Sequence, residues 1–383
     1  MIYKIGVAAD FHWGAMDADK QYEENLFVID FMKNNPLDLF VIAGDWWNSR
    51  LLVNSKAALT AVNTMYEYIE LAKQNNFQLR LFDGTRSHDY DQNNIFMSAV
   101  DDTFKVFREN TFEETLPGLN CIYCPDENID NTEYFIKYKD NIFNKPIDCM
   151  FFHGTFDILG IERKDTGDEK SIKNIVFEYQ VFSKLCHIMV GGHWHDADSN
   201  GNMFYTRSPN RYKFGEDRPK GFVYFSYDTE TKEYQLDRII NENTDEYRTI
   251  ILDTSLYDLS GNITETIKEI DNMIISNPRM HIRVKLLVTS ESPNSKMMVD
   301  TLKLHYANNR SVKFEMENKL GKKRKEEIVK HVSELKQKYN FLYDPRINIR
   351  DKFKQFIKMK NGVEVDDEIL DEVLSEYIKK EGM

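Results

Sequence analysis

The chain lacks several features that would assign it to common protein classes. Its 383 residues include only four cysteines: Cys121 and Cys124 form a single C-x-x-C pair, and Cys149 and Cys186 lie in or beside predicted strands. Without a second such pair, we expect reduced core thiols rather than a zinc site or a disulfide framework. No run of 18 apolar residues occurs, so neither a transmembrane helix nor a membrane partner is expected.

Two further absences concern the start of the chain and nucleotide binding. Met1-Ile2-Tyr3-Lys4 enters a predicted strand directly, which leaves no place for a signal peptide. We therefore expect a cytoplasmic protein, or one that acts in the host cytoplasm if a phage encodes it. Gly321-Lys322-Lys323 lacks the upstream glycine of a Walker-type loop, so the chain is not expected to hydrolyse ATP itself.

Positive charge is scarce overall but concentrated near the end of the chain. Lys and Arg number 50 against 63 Asp and Glu, which gives a net charge of −13 and argues against a simple nucleic-acid-binding protein. Residues 319–360, however, hold fourteen Lys or Arg and five Asp or Glu, a local balance of 14 − 5 = +9. Charge alone leaves two interpretations open, a solvated helical surface and a contact with DNA.

What the sequence has is a series of apolar strands that end in metal-binding residue types. Such strands are predicted near 3–9, 38–43, 77–82, 147–152 and 186–191. The Asp and His residues that follow them are Asp10, His12, Asp45, His88, Asp89, His153, His193 and His195. Each short motif alone is weak, because a lone His is commonly a satisfied core or surface imidazole. Five in succession indicate one site at one edge of a sheet.

These residue types predict a site for two divalent ions. Carboxylate oxygens and imidazole nitrogens suit Mn²⁺, Fe²⁺ or Zn²⁺, whereas structural zinc sites favour thiolates. The donors exceed what one tetrahedral ion needs, so we expect two ions about 3.5–4 Å apart, bridged by a carboxylate. Mn²⁺ is the first choice, with Mg²⁺, Fe²⁺ and Zn²⁺ as alternatives. Such a pair activates water and neutralises phosphoryl charge, so phosphoester hydrolysis is the predicted reaction.

The motifs resemble those of a known family. Asp10-x-His12, Gly44-Asp45, Ser87-His88-Asp89, His153-Gly154 and Gly192-His193-x-His195 are similar to the five motifs of the calcineurin-like metallophosphoesterases. Residues 205–216, followed by Lys220-Gly221-Phe222, resemble the segment after the last motif in SbcD-type nucleases, a group that includes phage recombination endonuclease subunits. The resemblance covers about residues 1–225. It implies an α/β fold in which a β-sandwich is flanked by helices, with a small α+β capping domain and C-terminal helices.

The resemblance also implies a role for each motif residue. One ion would be held by Asp10, His12, Asp45 and His195, with Asp45 as the bridge. The other would be held by His153, His193 and the residue before His88, which is Ser87. His88 would stabilise the transition state or protonate the leaving oxygen, and Asp89 would orient His88.

Two positions depart from the family pattern. The family has Gly-Asn-His-Asp, whereas here Ser87 stands where Asn is expected and two extra residues separate it from Gly84. A hydroxyl is a poorer ligand than a carboxamide oxygen, so either the second ion is weakly held or Ser87 acts through water. Arg207 replaces a family glycine, and both a phosphate contact and a solvated side chain remain open for it.

The pattern of elements and the resemblance together predict three domains. The resemblance implies that residues 1–243 form the metallophosphoesterase domain, 244–318 a capping domain that recognises DNA, and 319–383 a helical region that binds an ATPase partner. Dimerisation or a structural role is the alternative for 244–318, and packing on the protein's own body is the alternative for the terminal helices. Beyond the motif strands, we predict a strand at 119–123, helices at 54–75, 263–275, 294–306, 322–338, 349–360 and 366–380, and strands at 202–206, 220–226, 234–241, 247–253 and 280–288.

The function expected from the sequence is metal-dependent DNA hydrolysis. The chain would be the nuclease subunit of an SbcC/SbcD-like recombination and double-strand-break processing complex, with DNA and an SbcC-type coiled-coil ATPase as partners. A homodimer is a further open possibility. The alternative is a stand-alone metallophosphatase or cyclic-nucleotide phosphodiesterase, and a third is a catalytically impaired scaffold. The region after residue 225 favours the first, because a small-molecule phosphatase needs neither a capping domain nor partner-binding helices.

Overall fold

The computed structural model divides the chain into two compact units. It describes residues 1–125, 147–157, 177–195, 199–216, 218–253, 263–288, 293–318, 341 and 347–372. The first unit comprises Met1–Ile250, Thr264–Val284 and Asn308–Lys313; the second comprises Ile251–Ile263, Lys285–Ala307 and Phe314–Met383. The three-domain division at 243/244 and 318/319 stays a prediction, and the helix predicted at 322–338 lies outside the described residues.

The described strands form three sheets. In chain order they are β1 (Ile2–Ala8), β2 (Leu39–Ala43), β3 (Gln78–Phe82), β4 (Phe104–Phe107), β5 (Thr111–Leu116), β6 (Leu119–Cys124), β7 (Ile147–His153), β8 (Cys186–Gly192), β9 (Ser199–Asn200), β10 (Met203–Tyr205), β11 (Gly221–Asp228), β12 (Tyr234–Ile240), β13 (Glu246–Asp253), β14 (Met280–Val288) and β15 (Val312–Asn318). Their orders are β12-β11-β1-β2-β3-β4, β5-β6-β7-β8-β10-β9 and β13-β14-β15. All the strands predicted from the sequence are present within a few residues.

Most of the described helices connect these strands, and the last helix follows β15. They are α1 (Ala18–Asn34), α2 (Lys56–Asn75), α3 (Arg86–Asp89), α4 (Tyr179–Leu185), α5 (Ile263–Ser276), α6 (Pro293–His305) and α7 (Ile349–Asn361), together with a 3₁₀ helix at Gln92–Ala99. The Asp17 carboxylate caps α1, and the Ser55 hydroxyl caps α2, each by accepting backbone N–H groups of the first turn. Among the described residues, no helix is both long and apolar enough to cross a bilayer.

The first two sheets enclose a shared core. In the first sheet, β1, β2, β3 and β4 run parallel, and in the second, β6, β7, β8 and β10 run parallel. One buried cluster takes side chains from both sheets, among them Val7, Val41, Phe151 and Val190. A second cluster packs α1 and α2 against the opposite face of the first sheet, through residues such as Val28 and Met65. The predicted mixed α/β architecture, with sheets flanked by helices, is therefore confirmed.

The edge on which the motifs lie differs in one respect from the prediction. Asp10 and Asp45 follow β1 and β2 in the first sheet, whereas His153 and His193 end β7 and follow β8 in the second. The residues therefore converge from two packed sheets rather than from one. The apolar pattern of the strands cannot distinguish one sheet from two, because it does not determine which strands pair with each other.

Candidate metal centre

The backbone at the strand ends is held in an unusual conformation. Asp10, His12, Asp45 and His193 have positive φ angles of 58°, 46°, 50° and 96°. Non-glycine residues seldom adopt this left-handed region, and such conformations concentrate at functional sites because the surrounding structure must enforce them. Here the loops after β1 and β2 enforce it by remaining paired: Asp10 N donates to Gly44 O at 3.1 Å and His12 N donates to Asp45 O at 3.0 Å.

Two glycines allow these loops to approach closely. A Cβ atom on Gly84 would collide with the backbone nitrogen and the carboxylate of Asp45. A Cβ on Gly44, whose φ is +83°, would collide with the His153 ring and with Gly84. The glycines after β2 and β3 are therefore needed to bring a carboxylate and an imidazole from different sheets into contact.

Six of the seven predicted ligand residues meet at this point, five of them in overlapping donor groups. Each of three groups has one ligand atom per residue within 4.8 Å of the others, and the groups are Asp10, His12 and His195; His12, Asp45 and His88; and Asp10, Asp45 and His153. His193 adjoins them, since its backbone N–H donates to both Asp10 carboxylate oxygens at 3.1 Å. Asp10, His12 and Asp45 each belong to two of the groups, and the bridging role of Asp45 stays a prediction.

The His195 half of the site, defined by Asp10, His12 and His195, is braced by charged side chains. His12 Nε2 and His195 Nε2 lie 2.9 Å apart, and His195 Nδ1 lies 3.0 Å from Glu216 Oε1. Burial raises the pKa of Glu216, but hydrogen bonding to His195, the charge of that imidazole and nearby Lys220 outweigh it and lower the pKa to about 2. Glu216 is therefore an acceptor, so His195 donates through Nδ1 and turns the Nε2 lone pair toward His12 and Asp10.

Neighbouring groups complete this brace. The buried Lys220 ammonium lies 3.3 Å from Glu216 and donates to the His195 carbonyl at 2.9 Å. Tyr212 donates from its hydroxyl to the carbonyls of Phe11 at 2.5 Å and Asp10 at 3.1 Å. Burial raises the pKa of Tyr212 well above its usual range, so the hydroxyl stays a donor. These residues all come from the segment 205–220 that resembles SbcD-type nucleases.

The Asp45 half of the site, defined by Asp45, His153, His193 and Thr85, is braced mainly by the backbone. His153 Nδ1 donates to the Ala43 carbonyl at 2.7 Å, which directs Nε2 to Asp45 Oδ2 at 3.2 Å. Burial opposes ionisation of Asp45, but His153, His12 and His88 outweigh it and lower the pKa of this carboxyl. The His153 and His193 rings meet edge to face with centroids 5.4 Å apart.

The structure places Thr85, and not Ser87, in this half of the site. The Thr85 backbone N–H donates to Asp45 Oδ1 at 2.6 Å, and its hydroxyl lies 3.4 Å from His153 Nε2 and 3.5 Å from His193 Nδ1. Ser87 is exposed on α3 and has no described contact with these residues. Ser87 as a ligand stays a prediction, whereas in the described structure the two extra residues follow Thr85 and form the turn of α3, so Thr85 is the hydroxyl beside the histidines. The adjacency of Thr85 to Gly84 was the signal that could have identified it.

His88 and Asp89 also differ from the predicted arrangement. His88 Nδ1 donates to the Asn48 carbonyl at 2.5 Å, and no described contact joins His88 to Asp89. Asp89 instead accepts backbone N–H groups of Gly84, Asp45 and Trp47 at 2.6, 3.2 and 3.1 Å. In the described structure the Asp89 carboxylate thus has other partners than the His88 that it is predicted to orient. Asp89 ties the loop after β3 to the loop after β2, and the Asn48 carbonyl orients His88.

The donor set fits divalent metal ions. His153, His195 and His88 each use Nδ1 in a hydrogen bond to a carbonyl or carboxylate, so Nε2 is the nitrogen that faces the donor groups. Burial and nearby His195 lower the pKa of His12 well below its usual value, so that ring is neutral. Two carboxylates and four imidazoles converge on one point, which suits Mn²⁺, Fe²⁺ or Zn²⁺. The identity of the metal and the role of each ligand stay predictions.

Arg207, the other departure from the family pattern, has a positive φ of 77°. Glycine adopts this conformation without strain, which is a physical reason for the glycine in the family pattern. The Arg207 guanidinium donates to the Pro219 carbonyl at 2.9 Å, so it has a structural contact within the segment that braces His195.

Comparisons with known proteins add little to these observations. No protein-family model and no curated protein matches the chain. A provisionally assigned 5'-nucleotidase from Staphylococcus aureus, solved in complex with alpha-ketoglutarate, is a similar structure with 10% sequence identity and a TM-score of 0.38. The match covers 62% of this chain and 53% of that protein, so the chain spans about half the length of its structural neighbour. A likeness this distant carries no argument about activity.

Proposed function

We propose that the chain is a two-metal phosphodiesterase that cleaves DNA, as the nuclease subunit of an SbcC/SbcD-like complex. The observation that carries the phosphodiesterase proposal is the convergence of two carboxylates and four imidazoles from two sheets into overlapping donor groups. Divalent ions held there would supply an activated water near neutral pH and neutralise the charge of a phosphoryl group. Asp10 and Asp45 would hold and bridge the ions, because each lies in two of the groups.

The protein's own side chains would supply proton transfer and positioning. Because His88 donates to the Asn48 carbonyl through Nδ1, its Nε2 is the nitrogen available to serve a leaving oxygen. The His88 ring lies edge to face with His12 at a centroid distance of 4.7 Å, which places it beside the donor groups. His88 also belongs to one of those groups, so its role as an acid rather than a ligand needs a direct test.

DNA as the substrate is supported by the residues beyond the five motifs. The segment that resembles SbcD-type nucleases contributes Tyr212, Glu216 and Lys220, and each contacts a motif residue or its loop. These contacts link the segment directly to the metal centre, and a generic phosphatase would not need such a segment. The net charge of −13 opposes DNA binding, and bound ions would offset part of it locally.

The proposed partner is an SbcC-type ATPase that binds the C-terminal helical region. Helix α7 carries Ile349, Phe353, Phe356 and Ile357 at helical spacing, and Phe353 is 42% exposed in the described structure. Large exposed aromatic residues commonly serve as anchors in protein interfaces. A partner would supply the ATP hydrolysis for which the sequence has no Walker-type loop.

The experiment that tests this function compares substrates on one metal-loaded preparation. The full chain is stripped with a chelator, reloaded with Mn²⁺, and assayed on bis-p-nitrophenyl phosphate, p-nitrophenyl phosphate, a cyclic nucleotide and linear duplex DNA. Mn²⁺-dependent cleavage of the diester and of DNA, lost in Asp45→Asn and kept in the exposed Asp237→Asn, is the expected result. Cleavage of only the monoester or the cyclic nucleotide would favour the stand-alone phosphatase or phosphodiesterase instead.

A further inference from the structure

We infer that the Thr85 hydroxyl is a direct metal donor in the ion site that contains Asp45 and His153. This inference rests on the proposed two-metal function and adds to it that the two ion sites differ in affinity. The site that contains Thr85 is the weaker of the two, so the free Mn²⁺ concentration sets the fraction of fully loaded enzyme.

The separations between the donor atoms match those around a bound ion. Thr85 Oγ1 lies 3.3 Å from Asp45 Oδ2, 3.4 Å from His153 Nε2 and 3.5 Å from His193 Nδ1, and Asp45 Oδ2 lies 3.2 Å from His153 Nε2. Tetrahedral donors about 2.0–2.2 Å from an ion are about 3.3–3.6 Å from each other. Thr85 Oγ1, Asp45 Oδ2 and His153 Nε2 are thus spaced like three members of one coordination shell. At 3.3 to 3.5 Å the contacts of Thr85 are long for O–H···O or O–H···N hydrogen bonds.

The identity of the donor explains why this site is the weaker one. A neutral hydroxyl is a poorer ligand than the carboxamide oxygen that the family pattern places after the glycine. The Asp10, His12 and His195 group, in contrast, has an imidazole whose Nδ1 lies 3.0 Å from the Glu216 carboxylate. A carboxylate partner of this kind raises the basicity of a ligating imidazole. The ion that occupies the His195 half is therefore bound first as Mn²⁺ is added.

Calorimetric titration of the chelator-stripped full chain with Mn²⁺ tests the inference without relying on activity. The wild type is expected to show a tight and a weak binding event. Thr85→Val, which keeps the side-chain shape and the backbone donor to Asp45, should weaken only the weak event by about 10–100-fold or abolish it. Thr85→Ser should keep both events, and Thr85→Asn should tighten the weak one. Ser87→Ala should match the wild type.

The outcomes separate this inference from the proposed function. Two unchanged events in Thr85→Val would overturn it, as would loss of the weak event in Ser87→Ala, which would restore Ser87 as the ligand. A single event in the wild type would also overturn it. If Thr85→Val fails to fold by circular dichroism, the comparison of Thr85→Asn with the wild type decides, and an unchanged weak event there counts against the inference. Failure of the wild type to cleave DNA would instead contradict only the proposed substrate.

Discussion

The two halves of the metal centre are held in place by different means. In the His195 half, a buried carboxylate and a buried ammonium, Glu216 and Lys220, fix the imidazole. In the Asp45 half, backbone groups perform this work: the Ala43 carbonyl fixes His153, and the Thr85 N–H fixes the carboxylate. One half therefore depends on side chains far along the chain, and the other depends on the path of the strand-end loops.

This difference has a consequence for how each half responds to substitution. A hydrogen bond to an ionised partner is stronger than one between neutral groups, so Glu216 raises the affinity of its imidazole for a cation more than a carbonyl can. That brace can be removed by one substitution without moving the backbone. In the Asp45 half the imidazole of His153 is fixed by a peptide carbonyl, which no substitution can remove, and the Asp89 carboxylate ties together the loops that carry Asp45 and Thr85.

The largest expected effect is from Asp45→Asn, which alters the point where the halves meet. Asp45 lies in two donor groups, so the loss of its charge weakens both ion sites together. We expect hydrolysis of bis-p-nitrophenyl phosphate to fall by at least about 10⁴-fold, beyond the usual effect of one positioned acid. The measurement is steady-state turnover at saturating Mn²⁺, with thermal unfolding as the check on the fold. Near wild-type turnover would contradict the two-metal assignment.

The next largest effect is expected from His88→Ala, which tests whether His88 is a metal ligand in either half. If His88 is an acid, its loss should reduce the rate by about 10²–10⁴-fold while the chain still binds two Mn²⁺ ions. Elemental analysis after removal of free metal measures the second quantity. His187→Ala, a partly buried histidine of β8 away from the site, is the matched control. Loss of one ion in His88→Ala would mean that His88 is a ligand instead.

The sequence identified most of the framework because strand ends carry strong local signals. The strands that bear motifs are rich in apolar residues, and each lies within a residue or two of its predicted position. Helix α1 was missed for a physical reason: its inward face contains the buried polar residues Gln21, Glu24 and Asn25, which break the apolar periodicity. Gln21 is buried because its amide donates to the carbonyls of Phe11 and His12 at 2.7 and 3.0 Å.

The described site differs from the expected one where neighbours in sequence are not neighbours in space. Asp89 follows His88 directly, yet α3 turns the two side chains toward different partners. Ser87 precedes His88, yet Thr85 is the residue that reaches the histidines, because the end of β3 fixes Gly84 and its neighbour. The sequence does not single out Glu216, because no local pattern links a carboxylate to an imidazole 21 residues away.

Glu216→Gln is expected to have a smaller effect, confined to the His195 half. The amide keeps the size of the side chain but removes the negative charge, so the tight Mn²⁺ event should weaken by about 10–100-fold. The weak event should stay unchanged, because its ligands do not contact Glu216 in the described structure. Calorimetric titration measures both affinities in one experiment. Equal weakening of both events would show that the halves are not independently braced.

The smallest effect on the chemistry is expected from changes outside both halves, on α7. Phe353→Glu with Phe356→Glu places two charges on the apolar stripe of this helix, and Phe356 lies beneath Lys360 with the ammonium 5.7 Å from the ring centroid. Hydrolysis of the small diester should change by no more than about twofold, because surface substitutions away from a site seldom matter. Binding to the SbcC-type ATPase should be lost, since each buried aromatic anchor contributes about 2 kcal/mol or more.

A control on the same helix decides what a loss of binding means. Gln355→Glu adds a charge of the same sign at an exposed position of α7, so it tests whether negative charge alone repels the partner. If the double variant fails to co-purify with the ATPase while Gln355→Glu and the wild type succeed, the apolar stripe is the contact. If the double variant co-purifies as well as the wild type, or becomes insoluble, the stripe packs on the protein's own body. In that case the function of the metal centre would stand without the partner, because none of the donor groups includes a residue beyond His195.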